Sequence, residues 1–361
     1  MAASTLTEVA RLAGVSPATA SRVLNGSART PGPDIAERVR RAAESLGYIP
    51  NAQAQGLAKS SSGLLGLIVH DIADPYFSAI ARGVQEAARE QGKMVLLATT
   101  GGTPADERAA VAAFAARRAD SIVIAGSRSA RPADRDGNAE LAAELDRYCR
   151  NGGRVGVVGH PVIGAATSEG YHVVAVPNEE LAAELARQLA ANHPGEFVIM
   201  GGPEGLVTSD DRVRGFQAGL AASGRQRAEV MHSGFDRAGG FAAGEVLASR
   251  IKAGRTQGSA GPRLCIFAVN DVMAIGAAAA LRSEGLRIPR DAFLAGFDDI
   301  ETLRDFRPAL STVRLPLEEI GRLAALGAAG GDSTADGGAP VPVTGQVTLR
   351  HSTEAAPESV S

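Results

Sequence analysis

Residues 5 to 25 read TLTEVARLAGVSPATASRVLN, and this stretch predicts two short helices joined by a tight turn. Thr5 and Glu8 have the spacing of a capping box, which starts a helix by satisfying backbone N–H groups at its first turn. Gly14 supplies the turn. The buried stripes of the two helices follow helical spacing and consist of Leu6, Val9, Ala10 and Ala13, then of Ala20, Val23 and Leu24.

The outer face of the second helix carries small polar side chains and one arginine. Ser16 can cap this helix, and Pro17 fits its first position because that N–H has no helical partner. Such a face suits the major groove of DNA, where Arg22 can bind guanine O6 and N7 while hydroxyls and backbone N–H groups bind phosphates. An ordinary helical hairpin is the alternative. The residues expected to contact DNA here are Thr5, Leu6, Ser16, Pro17, Ala18, Thr19, Ser21, Arg22 and Asn25.

A third amphipathic helix is predicted from Asp34 to Leu46, and a marginal helical segment follows it. Residues 52–59 contain helix formers but too little apolar surface to fold alone, and Gly56 costs about 1 kcal/mol against alanine. One large apolar residue, Leu57, precedes a Ser-rich stretch, which suits a hinge that folds on DNA and inserts leucine into a minor-groove step. A plain linker is the alternative. Tyr48, Asn51, Ala54 and Leu57 complete the predicted DNA-contacting set.

From Leu64 onward, apolar runs alternate with amphipathic helical stretches, which is typical of parallel sheets wrapped by helices. One series of predicted strands ends at Val158, and a second begins near His172. We therefore expect an all-α helix-turn-helix head (residues 1–49), a hinge (50–62) and an α/β body of two doubly wound parallel-sheet lobes (63–361). The polar or Gly-rich loops at 127–138, 254–263 and 330–340 are expected to be mobile.

Polar and aromatic side chains follow several predicted strands of the body, where open α/β sheets bind their ligands. Carboxylates, an amide and an arginine can bind hydroxyl groups as donors and acceptors, while aromatic rings stack on a sugar face. Asp71 or Asn270 could instead only cap the next helix, and Tyr76 and Phe77 could belong to the core. The residues expected to bind a sugar-like effector are Asp71, Asp74, Tyr76, Phe77, Arg212, Phe235, Asn270 and Asp298.

The chain resembles the lactose-repressor/galactose-repressor (LacI/GalR) family of bacterial transcription regulators along nearly its whole length. The strings that carry the resemblance are VARLAGVSPATASRVLNG, ESLGYIPNAQAQGLA, GLIVHDIADPYF, the Arg and Gly of RVRGF, FAVNDVMAIGA, GLRIPRDAFLAGFDDI and LRHST. The resemblance implies a periplasmic-binding-protein-like body whose chain crosses between lobes three times. The strand series place residues 63–172 in the first lobe and 173–302 in the second. The three crossings then return the chain to the first lobe over 303–329, with Leu315 to Ala328 as a helix, and to the second lobe over 330–354, with the last strand. The resemblance also assigns Arg212, Asn270 and Asp298 to effector contacts and Phe235 to a stacking position.

Several positions depart from the family pattern. Asp74 stands where the family usually has asparagine before Pro-Phe, and an added carboxylate favours a polar or cationic ligand edge. Gly159-His160 replaces a common acid-arginine pair, and Pro177 to Glu180 replaces the usual acid-asparagine start. These departures leave the effector unnamed. In the hinge, Gln55-Gly56 replaces a frequent Arg-Ser pair, which predicts fewer contacts to minor-groove phosphates.

Charge and composition agree with a cytoplasmic DNA-binding protein. Residues 1–60 hold 7 Lys/Arg against 4 Asp/Glu, whereas the whole chain has a net charge of −3. This modest basic excess predicts that two heads bind double-stranded DNA together, as a homodimer on a palindromic operator, and that affinity falls with salt. The 361 residues contain two cysteines and no run resembling a signal peptide or a membrane span, so no disulfide framework and no membrane partner are expected.

The expected function is that of a sequence-specific transcriptional regulator, a repressor, whose operator affinity changes when a small sugar-like effector binds between the lobes. A sugar-binding protein of a transport system would share the body, but the DNA head and the lack of a signal sequence argue against it. An enzyme could also use two lobes around a cleft. No metal-ligand spacing and no GxSxG motif is present, so we expect no catalytic activity, no cofactor and no bound metal.

Overall fold

The computed structural model describes residues 4–25, 31–49, 61–165, 170–256, 263–330 and 340–354. The chain divides into two compact units, a head (Met1–Gly63) and a body (Leu64–Ser361). The head contains α1 (Leu6–Ala13), α2 (Pro17–Asn25) and α3 (Pro33–Ser45). The body contains helices α4 (Pro75–Glu90), α5 (Pro104–Ala116), α6 (Arg135–Arg150), α7 (Asn178–Asn192), α8 (Val207–Ala222), α9 (Arg237–Thr256), α10 (Asp271–Ser283) and α11 (Leu317–Ala328).

The head forms the predicted helical pair and packs its third helix against it. The Thr5 backbone N–H donates to Glu8 at 2.8 Å and the Glu8 N–H donates to the Thr5 hydroxyl at 3.3 Å, so the predicted capping box is confirmed. Gly14 ends α1 in the left-handed region at a φ of 65°. The Ser16 hydroxyl accepts from the Thr19 N–H at 3.1 Å and caps α2. The head core consists of Val9, Ala10, Ala13, Ala20, Val39, Ala42 and Ala43.

The body strands are β1 (Leu64–Val69), β2 (Met94–Thr99), β3 (Ser121–Ala125), β4 (Arg154–Val158), β5 (Tyr171–Ala175), β6 (Phe197–Gly201), β7 (Glu229–His232), β8 (Leu264–Ala268), β9 (Ala292–Ala295), β10 (Thr312–Arg314), β11 (Val341–Pro342) and β12 (Gln346–Thr348). They form a six-stranded parallel sheet in the order β11-β5-β4-β3-β1-β2 and a four-stranded parallel sheet in the order β7-β6-β8-β9. A two-stranded antiparallel sheet joins β10 to β12. The prediction of two parallel-sheet lobes is confirmed.

The predicted change of lobe at residue 173 is wrong. Strand β5 pairs in parallel with β4, so residues 171–175 belong to the six-stranded sheet of the first lobe. The same sheet also takes β11, which the prediction assigns to the second lobe. An apolar run specifies a buried strand but not the sheet that it joins, because that choice depends on pairing with strands distant in sequence.

The predicted return to the first lobe at residue 303 is also wrong. Ser311 forms a bridge with Ala295 of β9, and β10 pairs with β12, so residues 311–314 lie with the second lobe. The chain crosses after Arg314, and α11 then packs on α4 and on the six-stranded sheet. The return of this helix to the first lobe and of β12 to the second are both confirmed.

The loop at 127–138 is not the irregular segment that its composition predicts. Arg128 is buried and forms an ion pair with Glu107, a short 3-10 helix spans Pro132–Asp134, and α6 begins at Arg135. The predicted loops at 254–263 and 330–340 lie largely outside the described residues. Of the two cysteines, Cys149 is half-buried and Cys265 is buried.

Helices α4 and α11 approach closely because each contributes a glycine to the contact. A methyl group on Gly83 would lie 1.8 Å from the carbonyl oxygen of Glu318, and one on Gly321 would lie 2.1 Å from the carbonyl oxygen of Ile80. Both obstacles are backbone atoms, which cannot rotate away as a side chain can. This pair of glycines therefore fixes the position of α11 on the first lobe.

Gly83→Ala should lower the free energy of unfolding by about 1–3 kcal/mol, because the two helices must separate to admit the methyl group. Gly254→Ala in α9 is the matched control, since no atom lies within 4 Å of its methyl position. The control should be neutral or stabilise by up to about 1 kcal/mol. Urea unfolding of both variants measures the difference, and equal stabilities would contradict the close packing.

Candidate functional site

The head presents an exposed polar face on α2. Ser16, Pro17, Ala18 and Arg22 are exposed, and among the described residues no carboxylate pairs with Arg22. A guanidinium with no carboxylate partner in the described part of the head is available to a ligand. Thr19 and Ser21 are half-buried on the same helix, and the Ser21 hydroxyl accepts a hydrogen bond from the Asn25 amide at 2.9 Å.

The other predicted DNA contacts either take part in the packing and capping of the head or lie outside the described residues. Thr5 is exposed, but its side chain is used in the capping box. Leu6 and Tyr48 are half-buried and pack against the head core, so only part of each can contact a ligand. Asn51, Ala54 and Leu57 lie outside the described residues, and their roles stay predictions.

A cleft of about 910 Å³ opens in the body where the carboxyl ends of both parallel sheets meet. Each strand ends there in a loop, so the side chains that follow the strands converge on the cleft. The structure brings all of the predicted effector contacts to its wall. They are Asp71, Asp74, Tyr76 and Phe77 from the first lobe, and Arg212, Phe235, Asn270 and Asp298 from the second.

Arg212 is the most constrained of these side chains. It projects from α8 with 2% of its surface exposed. Its guanidinium donates to Asn178 Oδ1 at 2.9 Å, to the Val269 carbonyl at 2.7 Å and to Asp298 Oδ1 at 2.8 Å. Its Cζ atom lies 3.9 Å from the centre of the Phe297 ring. Because every contact restricts the guanidinium plane, the arginine is pre-organised toward the cleft.

Asp298 and Asp299 are adjacent in the sequence, but their carboxylates bind different partners. Both residues have a positive φ, 115° and 54°, a conformation that Asp tolerates better than most residues. Asp298 faces the cleft beside Arg212, whereas Asp299 forms ion pairs with Arg314 and Arg350 at 2.7 Å. Burial raises the pKa of Asp298 to about 6, even though Arg212 favours its ionised form.

Asp271 accepts hydrogen bonds from the residues around the turn that contains Asp298 and Asp299. Its carboxylate accepts from the Thr312 hydroxyl at 2.7 Å and from the Ile300 N–H at 3.0 Å. Burial, together with the nearby charge of Asp298, raises the pKa of the Asp271 carboxyl well above its usual range. Asp271 therefore joins α10 to the turn that follows Asp298 and to β10.

Helix capping accounts for part of the polar set, as the sequence allowed. Asn270 caps α10 by accepting from the Met273 N–H at 2.8 Å, and its amide donates to the Phe235 carbonyl at 3.2 Å. Asp74 caps α4 by accepting from the Tyr76 N–H at 2.9 Å, and burial raises its pKa. Asp71 accepts from the Ala73 N–H at 2.9 Å. Each of these residues lines the cleft as well, so capping and ligand contact are compatible.

Aromatic rings cover the apolar side of the cleft. Tyr76 and Phe77 pack edge to face with centroids 5.1 Å apart, and both are half-buried against the core. Burial raises the pKa of the Tyr76 hydroxyl above its usual value. Phe235 follows β7 on the opposite lobe and lies close to Gly202, where a side chain would collide with its ring. Rings from both lobes are therefore available to a ligand.

Sequence reasoning missed several other cleft residues. His70 directly follows β1, so the strand-end rule could have found it. Asn178 begins α7 and orients Arg212. Ser127 reaches the cleft from the loop after β3 and Thr208 from the first turn of α8, and no local pattern reveals that these two segments meet. The additional polar lining residues are His70, Ser127, Arg131, Asn178, Thr208, Asp236, Arg237, Thr302 and Asp305.

The part of the chain that the structure describes contains no helix long and apolar enough to cross a membrane. It also places no group of three or more His, Cys, Asp or Glu side chains where they could bind a metal ion.

A head with a DNA-reading helix and a body with a polar cleft between two lobes define a ligand-responsive DNA-binding regulator. Comparison with known proteins agrees: residues 5–51 match the model for bacterial regulatory proteins of the lacI family, and residues 186–353 match a periplasmic binding protein-like domain. The chain belongs to the lacI family, whose members regulate transcription.

Its relatives are transcriptional regulators. The chain is 32% identical to GalS of Salmonella typhimurium strain LT2, over 89% of this chain and 87% of that protein. It is 30% identical to GalR of Escherichia coli K12, over 87% and 85%. Among solved structures, the CelR–cellobiose complex matches at 25% identity with a TM-score of 0.65, covering 97% of this chain and 99% of that one. The lac repressor dimer bound to operator and an anti-inducer shares the fold, with 22% identity, a TM-score of 0.76 and coverage of 98% and 100%.

Proposed function

We propose that the protein is a repressor that binds a palindromic operator as a homodimer, and that a small sugar-like effector in the cleft changes its operator affinity. The observation that carries the proposal is the buried Arg212, held by three hydrogen bonds in the wall of a cleft of about 910 Å³. Its place of action would be the cytoplasm, where bacterial DNA lies. No catalytic step is proposed.

The chemistry of the cleft suits a polyhydroxylated ligand. Asp74, Asp298 and Asn270 offer acceptors and donors, and Tyr76 and Phe235 offer ring faces from opposite lobes. Two solved structures of similar fold support a sugar: a CelR complex contains cellobiose, and a regulator from Enterococcus faecium contains ribose. A ligand that bridges the lobes would stabilise one angle between them.

DNA reading is assigned to the exposed face of α2. Arg22 would bind a guanine edge, while the Ser16 hydroxyl and the Ala18 backbone N–H at the start of α2 would bind phosphates. Thr5, Pro17, Ala18, Thr19, Ser21 and Asn25 would complete the contact surface, with parts of Leu6 and Tyr48. One head supplies few such contacts, so two heads on a symmetric site are needed. The lac repressor on its operator is a dimer, which supports the same arrangement.

The coupling between the two sites is reciprocal. An effector that weakens operator binding must itself bind less tightly to the DNA complex, by the same factor. A coupling free energy of about 1–3 kcal/mol per effector suffices for a useful switch. Asn51, Ala54 and Leu57 are proposed to order against DNA and to transmit the change, with Leu57 inserted into a minor-groove step.

A thermal-shift screen of sugars and nucleosides, followed by selection of bound duplexes from a random pool, tests the proposal. A ligand at a hundredfold its Kd should stabilise the protein by ~2.7 kcal/mol. The selected duplexes should be palindromic, and the ligand should change the affinity for them. A protein that prefers no duplex sequence, with or without ligand, would refute the proposed function.

Effector affinity should fall as the pH drops through about 6, the pKa of Asp298. The ionised carboxylate pairs with Arg212 and accepts ligand hydroxyls, and protonation weakens both interactions. Asp74 and Asp271, whose pKa values burial also raises, are the other acids beside this pair. Calorimetric titration between pH 5 and 8 measures the effect, and Asp298→Asn should remove the step near pH 6. A step that survives in this variant would assign the titration to another group.

A further inference from the structure

The two lobes contact each other directly at the rim of the cleft, through the loop that follows β3 and the start of α8. The Val207 N–H donates to the Arg128 carbonyl at 2.9 Å, and the Ala130 N–H donates to the Gly205 carbonyl at 2.7 Å. The Thr208 N–H donates to the Ser127 hydroxyl at 3.1 Å. These bonds surround a bridge between Ser129 and Leu206. The contact therefore has the regular geometry of a short antiparallel pairing.

The start of α8 depends on this contact for its cap. The first N–H groups of a helix have no partner within the helix and need one from outside. Residue 206, at the N-cap, is leucine, which has no side-chain acceptor, and no side-chain cap is formed. The Val207 and Thr208 N–H groups instead find acceptors on the opposite lobe. A helix whose first two N–H groups find their acceptors on the other lobe is sensitive to the separation of the lobes.

The loop that supplies this cap is fixed firmly to its own lobe. Arg128 is 3% exposed and binds both oxygens of the buried Glu107, at 2.7 and 3.0 Å. Burial opposes ionisation of Glu107, but the Arg128 guanidinium outweighs it and holds the pKa of this carboxyl below its usual value. The Asn138 amide donates to the Ser129 carbonyl at 2.7 Å. The acceptors for α8 are therefore built into the first lobe.

The same cluster reaches the wall of the cleft. His70 Nε2 lies 3.5 Å from Glu107 Oε1, and the His70 ring faces Gly126 so closely that a side chain there would collide with it. His70 also lines the cleft. A ligand that moves the His70 ring would thus act on the buried ion pair that holds the loop.

We propose that residues 127–130 form an interlobe latch, which caps α8 when the cleft is closed and so positions Arg212 on the same helix. Glu107 is a positioning residue in this device, because it holds the loop through Arg128. A second contact across the cleft reinforces the latch: His160 Nε2 lies 2.5 Å from Asp211 Oδ2, one residue before Arg212. Opening the lobes would leave the first turn of α8 uncapped and would loosen the effector-binding arginine.

Hydrogen exchange of the full-length protein, without any effector, tests the latch. The Ala130, Val207 and Thr208 amides should be protected in the wild type, although Val207 and Thr208 lie in the first turn of a helix. Glu107→Gln weakens the buried pair and should speed exchange at these amides at least 10-fold, while β6 and β8 stay protected. Arg108→Ala is the matched control. Arg108 is the neighbour of Glu107 in the sequence and forms an exposed ion pair with Glu140, so its loss should leave exchange at these amides unchanged.

A second variant keeps the test decisive if Glu107→Gln unfolds the body. Ser127→Ala removes one acceptor at the rim and leaves the buried pair intact, so it should speed exchange at Thr208 alone or with Val207. Unprotected amides in the wild type, or unchanged exchange in Ser127→Ala, would overturn the latch. The proposal that the latch positions Arg212 for effector binding rests on the proposed function. The exchange readout needs no ligand, so failure of the latch would leave that function standing, and the reverse also holds.

Discussion

Arg212→Ala should abolish the effector response while operator binding persists. The variant removes three hydrogen bonds and leaves Asp298 buried without its partner, so the unfolding free energy should also fall by about 3–5 kcal/mol. Effector affinity should fall about 10- to 150-fold, since the ligand loses a pre-organised charged donor worth about 1.5–3 kcal/mol. Calorimetry with the effector from the sugar screen measures affinity, and a gel-shift assay with the selected operator measures the response.

Two further variants separate a lost contact from a lost fold. Arg187→Ala breaks an exposed ion pair on α7 and should leave both effector affinity and stability within error of the wild type. Arg212→Ala combined with Asp298→Ala removes the unpaired carboxylate and should regain part of the stability without regaining the effector. An effector response that survives in the double variant would place the ligand elsewhere in the cleft.

Arg22→Ala should abolish operator discrimination and leave effector binding intact. Loss of a bidentate contact to guanine costs about 1–3 kcal/mol per head, so a dimer should lose about 30-fold to more than 10⁴-fold in specific affinity. Binding to random DNA should weaken far less, because each head loses only one positive charge that attracts the DNA phosphates. Competition binding with operator and random duplexes at two salt concentrations measures both quantities.

Arg11→Ala provides the charge-matched control for this experiment. Arg11 is exposed in the last turn of α1 and carries the same charge, but it lies outside the face of α2. It should reduce operator and random binding by similar, small factors. Equal losses on the two duplexes in Arg22→Ala would contradict a base-reading role and would make Arg22 a phosphate contact.

Local signals predicted most of the elements correctly. The capping box of Thr5 and Glu8, the left-handed Gly14 and the Ser16 cap are each decided within a few residues, and all occur as expected. The strand ends that carry Asp74, Asn270 and Asp298 were likewise found, because parallel strands bring their carboxyl ends to one edge. Such features depend on backbone chemistry that neighbouring residues determine.

The features that sequence reasoning missed depend on long-range pairing. In the sequence, strand β5 looks like the first strand of the second lobe, but it pairs with β4 in the six-stranded sheet. Ser311 pairs with β9, at the edge of the four-stranded sheet. The loop around Arg128 looks irregular until Glu107, distant in the sequence, is placed beneath it. No local pattern specifies these partners. The sequence therefore predicted the cleft but not the contacts that join its two walls.

The two cysteines make the molecule convenient for optical work. Cys265 lies buried in β8, and burial raises the pKa of both thiols, so little reactive thiolate is present at neutral pH. A single cysteine introduced at an exposed position away from the face of α2, such as Glu44→Cys on α3, should then react with a maleimide dye far faster than either native thiol. Fluorescence from that dye would follow operator encounter in real time, without the need to remove the native sulfur atoms.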